Sequence, residues 1–430
     1  MSLRDGRLSI AIIGSGISGN VVAHRLHHAH QITVYEAADH IGGHAHTHTV
    51  EQAGRRYEVD TGFIVFNDQT YPHFIALLTE LGVASQESSM SFSVRDELTD
   101  LEYNGTTLNT LFAQRRNLLR PAFLGMIRDI LRFNREAPKL LGTDTAERPL
   151  SELLAQGRYG RAFIEQYIVP MGAAIWSTDP QSMLDFPARF FVQFLHNHGM
   201  LSVNQRPVWR TIQGGSARYV DKLTQPFRDR IHLGRPVESV RRRSDSVLVK
   251  TRGQEAVRYD AVFITCHSDQ ALALLANPSA IEQEVLGAIT YQRNEAVLHT
   301  DVRLLPKRRL AWAAWNYHLL PDKRESVALT YHMNILQRLD SPQPFLVTLN
   351  RSADIEPALI IKRIIYHHPV FTAAAGAAQA RQRELNGANG IYYCGAWWRH
   401  GFHEDGVVSA LQAVSHFEQD HAQRIVCRSA

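Results

Sequence analysis

The sequence predicts an α/β fold with more than one domain, and three observations carry that prediction. An apolar run, Leu8 to Ile13, enters a G-x-G-x-x-G turn made by Gly14, Gly16 and Gly19. Apolar residues at helical spacing come next, and then a second apolar run that stops at Glu36. The chain has 430 residues, more than one ordinary core holds, so two or three domains are expected.

Each element has its reason. Leu8 to Ile13 is β-prone and mostly apolar, as a buried parallel strand is. Ile17, Val21, Val22, Arg25 and Leu26 give the helix, and Gln31 to Tyr35 gives the next strand. Gly14 allows the tight turn, Gly16 lets backbone N–H groups approach a pyrophosphate, and Gly19 lets helix and strand pack closely. The helix N-terminus, with Ile17 and Ser18, favours phosphate. Glu36 falls where a ribose-binding carboxylate belongs. A plain βαβ crossover with a glycine turn is the alternative, but strand, turn, helix, strand and acid in this order favour a Rossmann-like dinucleotide cradle.

Composition excludes several classes. Hydrophobic residues at 44% and charged residues at 20% are ordinary for a globular protein, and a net charge of +4 makes no case for nucleic acid. Cys266, Cys394 and Cys427 are far apart and form no CxxC, so neither a disulfide framework nor a zinc ribbon is expected, and a reducing, cytoplasmic setting fits. The first apolar run is too short for a signal peptide, and no stretch is long enough to span a membrane.

The segment after Glu36 separates NAD from FAD. Gly42 and Gly43 arrive six residues later, in EAADHIGGHAHTHTV. This resembles the extended FAD fingerprint of the flavin-containing amine oxidoreductase superfamily, which includes monoamine oxidases, phytoene desaturases and protoporphyrinogen oxidases. The resemblance implies FAD as cofactor and an amine oxidase-like two-domain fold, a Rossmann-like FAD-binding domain with an inserted α+β substrate domain. It also implies that His44 runs beside the flavin. Gly214-Gly215-Ser216 looks like the family's glycine pair ahead of a helix. GRPVESVRRRSDSVLVK looks like its mid-chain strand pair, where Val237 would meet the adenine end. IYYCGAWWRHGFHEDGVVSAL looks like the terminal flavin motif, with Gly395 and Val407 at the cofactor. The family's acid after that glycine is Ala396 here, so Glu404 or Asp405 is expected to take over the ribityl contact.

GFHEDG, YHMNILQ, YHHPVF and FLHNHGML look like a bacterial subgroup of predicted NAD/FAD-binding proteins associated with cyclopropane-fatty-acyl-phospholipid synthases. They are also similar to desaturases that prepare methylated acyl chains. That resemblance implies a lipid substrate and a functional partner of the methyltransferase type. The implied FAD-binding domain is discontinuous, at 1–75, 200–290 and 385–430, with the substrate domain at 76–199 and 291–384. An antiparallel sheet is expected there to include SVALTYHMNILQRL and HTDVRLL, and helices from Leu108 to Leu141. In those helices Arg115, Arg116, Arg120, Arg128, Arg132, Arg135 and Lys139 alternate with apolar residues. This pattern reads either as a solvated face over a core or as a surface for peripheral contact with the inner face of the membrane.

A flavin carries redox chemistry itself, so the protein must hold the substrate close and exclude competitors. No catalytic triad is found, and no second G-x-G-x-x-G that would bind NADPH. His299, in NEAVLHTD, is expected where many amine oxidases place a lysine opposite the flavin, with a structural histidine as the alternative. Trp397, Trp398 and His400 are expected to wall the substrate slot, or to be core. Trp176, His196 and His198 are further lining candidates. His44, His46 and His48 would share one face of a strand, but no carboxylate or cysteine set completes a metal site. The expectation is therefore an FAD-dependent oxidoreductase that removes hydride from an apolar substrate, a phospholipid acyl chain. The rivals are an amine or small-molecule oxidase, a flavin-dependent double-bond isomerase, and a non-catalytic flavoprotein partner of a lipid methyltransferase.

Overall fold

The strand Ser9–Ile13 alternates its buried side chains between two cores, and this puts it at the centre of a sheet. Ile10 and Ile12 pack with the helix Ile17–Leu26 and the C-terminal helix His403–Ser429. Ala11 and Ile13 face the opposite side, against a three-stranded meander of Val237–Arg242, Val247–Thr251 and Val257–Tyr259. Five parallel strands form the sheet, in the order Ile231–His232, Gln31–Tyr35, Ser9–Ile13, Ala261–Ile264 and Ile391–Tyr393. A parallel sheet covered on both faces needs such near-continuous apolar strands. The computed structural model describes residues 7–142, 148–202, 206–321 and 327–429.

A second unit is built on seven strands. Their order is Ile360–Val370, Thr290–His299, Leu346–Leu349, Leu329–His332, Trp315–Leu319, Phe92–Asp96 and Leu101–Asn104. The sheet is mixed rather than wholly antiparallel, because Trp315–Leu319 runs parallel to Phe92–Asp96. Helices cover it, among them Pro121–Glu136, Val169–Trp176 and Ala188–Asn197. Of the two segments expected in the sheet, SVALTYHMNILQRL contributes a strand only at Leu329–His332 before turning helical. HTDVRLL leaves the sheet at His299, because the Asp301 carboxylate caps a short helical turn at Val302–Leu304.

The expected boundaries at 75 and 385 both fall inside packed elements. The helix Pro72–Glu80 spans the first and buries Phe74, Leu77 and Leu78 in the nucleotide-side core. Helices Ala373–Gln379 and Gln382–Leu385 bury Ala375, Ala378 and Leu385 beneath the meander, so the chain returns to this unit before 385. The hairpin Thr47–Gln52/Arg55–Asp60 joins the two units. Ala53 and Gly54 both take positive φ in its two-residue turn, while Tyr57 and Val59 pack into the second unit's core. At its end, buried Asp60 accepts hydrogen bonds from Thr47 Oγ1 (2.5 Å), Ser216 Oγ (2.7 Å) and Gln337 Nε2 (2.9 Å). One carboxylate thus ties three distant segments together.

Candidate functional site

The glycine turn opens a cavity of ≈ 650 Å³ that runs from the parallel sheet into the second unit. At one end it is lined by Gly14, Gly16, Ile17, Ser18, Glu36 and Val237. The backbone there has the form a phosphate cradle needs. Gly14 takes φ +105°, and a Cβ added at Gly16 would meet nothing within 4 Å, so the backbone is open to a ligand. Gly16 is also the N-cap of the helix Ile17–Leu26, and no side chain caps that end. Its N–H groups face the cavity wall without a side-chain acceptor, a setting that suits pyrophosphate. Gly19 works differently: a Cβ there would lie 2.0 Å from the Gly14 carbonyl oxygen, so its role is packing.

Glu36 lines the cavity while fixing the turn. Its carboxylate accepts from Ser15 N and Ser15 Oγ, both at 2.7 Å, and from Ala38 N at 2.8 Å. Gly42 and Gly43 also line the cavity, with φ +120° and +60°. Gly43 lies so close that an added Cβ would sit 3.3 Å from Gly16 Cα. Gly395 closes the far side of the turn. Its φ of 168° is ordinary extended backbone, but the Trp397 indole lies against it and leaves no room for a side chain. These contacts fit a bound FAD: an open phosphate turn, a carboxylate at ribose distance in the chain, and a glycine pair closing over both.

The other end is lined by Trp176, Trp315, Tyr331, Phe371, His44 and His368, among others. Among the described residues that line it, Glu36 is the sole carboxylate, and none is a lysine or arginine. Three of the lining imidazoles are held neutral by burial: His44 and His368 are lowered to about 3, and His267 to about 4. His44 stacks on Tyr366 at 4.8 Å between ring centroids, and His267 stacks on Tyr291 at 4.4 Å. The orientation of His368 is fixed from behind. The Asn294 amide accepts from Asn350 Nδ2 (2.8 Å) and donates to the Ser177 carbonyl (2.9 Å) and to His368 Nδ1 (3.0 Å). The His368 proton therefore sits on Nε2, and the ring offers the cavity a neutral donor.

Several expected site residues lie elsewhere. His299 is fully buried inside the second sheet and is absent from the cavity wall. Its Nε2 pairs with Thr348 Oγ1 at 2.7 Å and its Nδ1 accepts from Asp301 N at 3.0 Å, so it terminates a strand. Glu404 accepts from His73 N (3.1 Å), His73 Nδ1 (2.7 Å) and Phe74 N (2.9 Å), which makes it the cap of the helix Pro72–Glu80. Asp405 accepts from His400 N (3.1 Å) and Phe402 N (2.9 Å), folding the loop before the last helix; burial raises its pKa to about 6. Val407 packs in the core of the nucleotide-side unit rather than in the cavity lining. Trp397 is on the wall, its indole N–H donating to the Cys266 carbonyl at 3.1 Å, whereas Trp398 packs behind it, tilted, with ring centroids 4.3 Å apart.

Trp176 and His400 line the cavity, and His196 and His198 do not; His198 stacks on Phe194 in the core. His44 parts from His46 and His48: His46 stacks on His40, His48 tilts against His46, and among the described residues no cluster suited to a metal ion exists. Trp315, Tyr331 and Phe371 were not legible as lining residues in the sequence. Their only signal was an aromatic in or beside a strand, which every core strand also shows.

The sequence pattern of the flavin-containing amine oxidoreductase family matches residues 17–308. Comparison with curated proteins finds no match. Among solved structures, cyclohexylamine oxidase from Brevibacterium oxydans is similar at TM-score 0.69 and 15% identity, over 96% of this chain and 99% of that one. A putrescine oxidase bound to putrescine gives 0.67 and 14%, over 96% and 99%. A fatty acid isomerase from P. acnes that produces CLA gives 0.68 and 16%, over 97% and 100%. At such identity these likenesses bear on the fold.

Proposed function

The chain belongs to the flavin-containing amine oxidoreductase family and is an FAD-dependent oxidoreductase, and from that premise we propose that it dehydrogenates an apolar substrate, a fatty acyl chain of a phospholipid. Amine oxidases and a fatty acid isomerase share the fold, so the fold alone does not choose a substrate. The observation that supports the lipid reading is the substrate end of the cavity. Among the described residues its aromatic and imidazole walls hold no carboxylate, so an ammonium ion buried there would find no counter-charge from them. FAD held in this cradle would supply the two-electron acceptor the oxidation needs. The chain's own part is to hold the acyl chain between Trp176, Trp315, Tyr331 and Phe371, to keep water out, and to give one acceptor atom of the substrate a hydrogen bond from His368. The residues that resemble the synthase-associated subgroup support a methyltransferase as the functional partner.

The experiment is turnover of the flavin-loaded protein with phospholipids carrying unsaturated or methyl-branched chains, alongside polyamines and aromatic amines. The reading expects an acyl product two hydrogens lighter and no peroxide from the amines. An acyl product of unchanged mass would assign an isomerase, and peroxide from an amine would assign an amine oxidase.

A further inference from the structure

The most exposed apolar side chains of the described residues are concentrated in one part of the second unit. Leu119 is 86% exposed and Leu108 77%, and Leu98, Leu131 and Leu118 are each more than half exposed. The helix Pro121–Glu136 explains part of the pattern. Phe123, Met126 and Phe133 go into the core, so the helix needs no further apolar face for packing. Yet its outward stripe reads Leu124, Arg128, Leu131, Arg135, four exposed residues on one face.

Hydrogen bonds gather the neighbouring leucines into the same surface. Arg116 pairs with Asp100, and Arg120 Nη1 reaches the Asp100 carbonyl at 3.4 Å, which holds the Leu98 turn against Leu118 and Leu119. Arg115 donates to the carbonyls of Asn109 (3.2 Å) and Phe112 (2.8 Å), which holds the helix Leu108–Leu111 there as well. That short helix touches the turn Arg309–Ala311, so exposed Lys307, Arg308 and Arg309 adjoin the patch. Arg116, Lys307 and Arg308 together hold the Asp100 carboxyl below its usual range. Of the exposed acids here, Asp100 is paired to Arg116, and Glu97 to Arg95 and His318.

We infer that this face docks the protein on an anionic phospholipid bilayer. Arg116, Arg128, Arg135 and Arg308 each pair with a neighbouring carboxylate, but Arg115, Arg120, Lys307 and Arg309 have no carboxylate partner among the described residues. The face therefore keeps an excess of positive charge between its leucines, which matches the boundary where acyl chains meet charged headgroups. A protein–protein interface keeps charge out of its apolar centre, and here the two are mixed at every turn. None of the described helices is long and apolar enough to cross a membrane, so the contact is peripheral. Docking of this face is independent of what the flavin oxidises.

The test is co-sedimentation of the flavin-loaded full chain with phosphatidylglycerol–phosphatidylcholine vesicles and with pure phosphatidylcholine vesicles. Binding to the anionic vesicles alone is expected, weakening as salt rises. The double variant Leu118→Asp/Leu119→Asp, and separately Lys307→Glu/Arg128→Glu, should each lower partitioning by about tenfold or more, with flavin content unchanged. Absence of binding, equal binding to both vesicles, or binding that both variants retain would overturn the inference. A self-association in solution that Leu119→Asp abolishes would overturn it too, because a second copy would then cover the face.

Discussion

At the scale of single residues, two glycines of one motif do opposite jobs, and substitution separates them. A Cβ at Gly16 meets only the cavity, so Gly16→Val should fold with nearly unchanged stability and lose FAD affinity by about tenfold or more. A Cβ at Gly19 collides with the Gly14 carbonyl, so Gly19→Val should destabilise the fold by roughly 3 kcal/mol. Flavin titration and chemical denaturation distinguish the two outcomes. His368 should show itself in catalysis. Removing its N–H with His368→Phe takes one hydrogen bond from the substrate end, so kcat/KM should fall by about tenfold while the bound-flavin spectrum is unchanged. The cradle residues were legible because each answers a local backbone demand. His299 was placed beside the flavin by resemblance alone, with a structural histidine as the alternative, and the structure shows the alternative, turning that ring to Thr348.

At the scale of elements, acids near a helix start are ambiguous from sequence. Glu404 and Asp405 both lie at the start of the last helix, yet neither lines the cavity. Glu404 reaches a different helix, 331 residues away in the chain, and caps its N-terminus. That partner is invisible without the fold. Glu404→Ala should destabilise the protein by about 1–2 kcal/mol, because it frees the buried Phe74 N–H and removes a charge from a helix N-terminus. Flavin stoichiometry should be unaffected, and a variant that folds normally but arrives without flavin would contradict this assignment. The first two strands of the parallel sheet and the helix between them were foreshadowed by apolar runs around the glycine turn. The domain edges were not, because a helix such as Pro72–Glu80 carries the same amphipathic pattern whichever core it serves.

At the scale of the whole molecule, buried neutral histidines set the response to acid. His198, His299 and His332 lie outside the cavity and are lowered by burial from 6.5 to about 4. Between those values the unfolded chain binds protons that the folded chain refuses, so stability falls as pH drops through this window. Asp60 and Asp405, raised by burial to about 6, act in the opposite sense, since the folded chain takes up their protons first. The histidines outnumber the two aspartates, so a net loss of stability is expected between pH 7 and pH 5. Denaturation midpoints at the two pH values check it, and equal midpoints would contradict it. The most direct test of the central claim is an anaerobic absorption spectrum of the purified protein, taken before and after adding phospholipid with unsaturated or methyl-branched chains. An oxidised-flavin band that bleaches on addition, with an acyl product two hydrogens lighter, is the predicted result. A flavin band that the lipid leaves untouched would contradict the lipid dehydrogenase. A protein that takes up no FAD on reconstitution would contradict the reading of the glycine cradle itself.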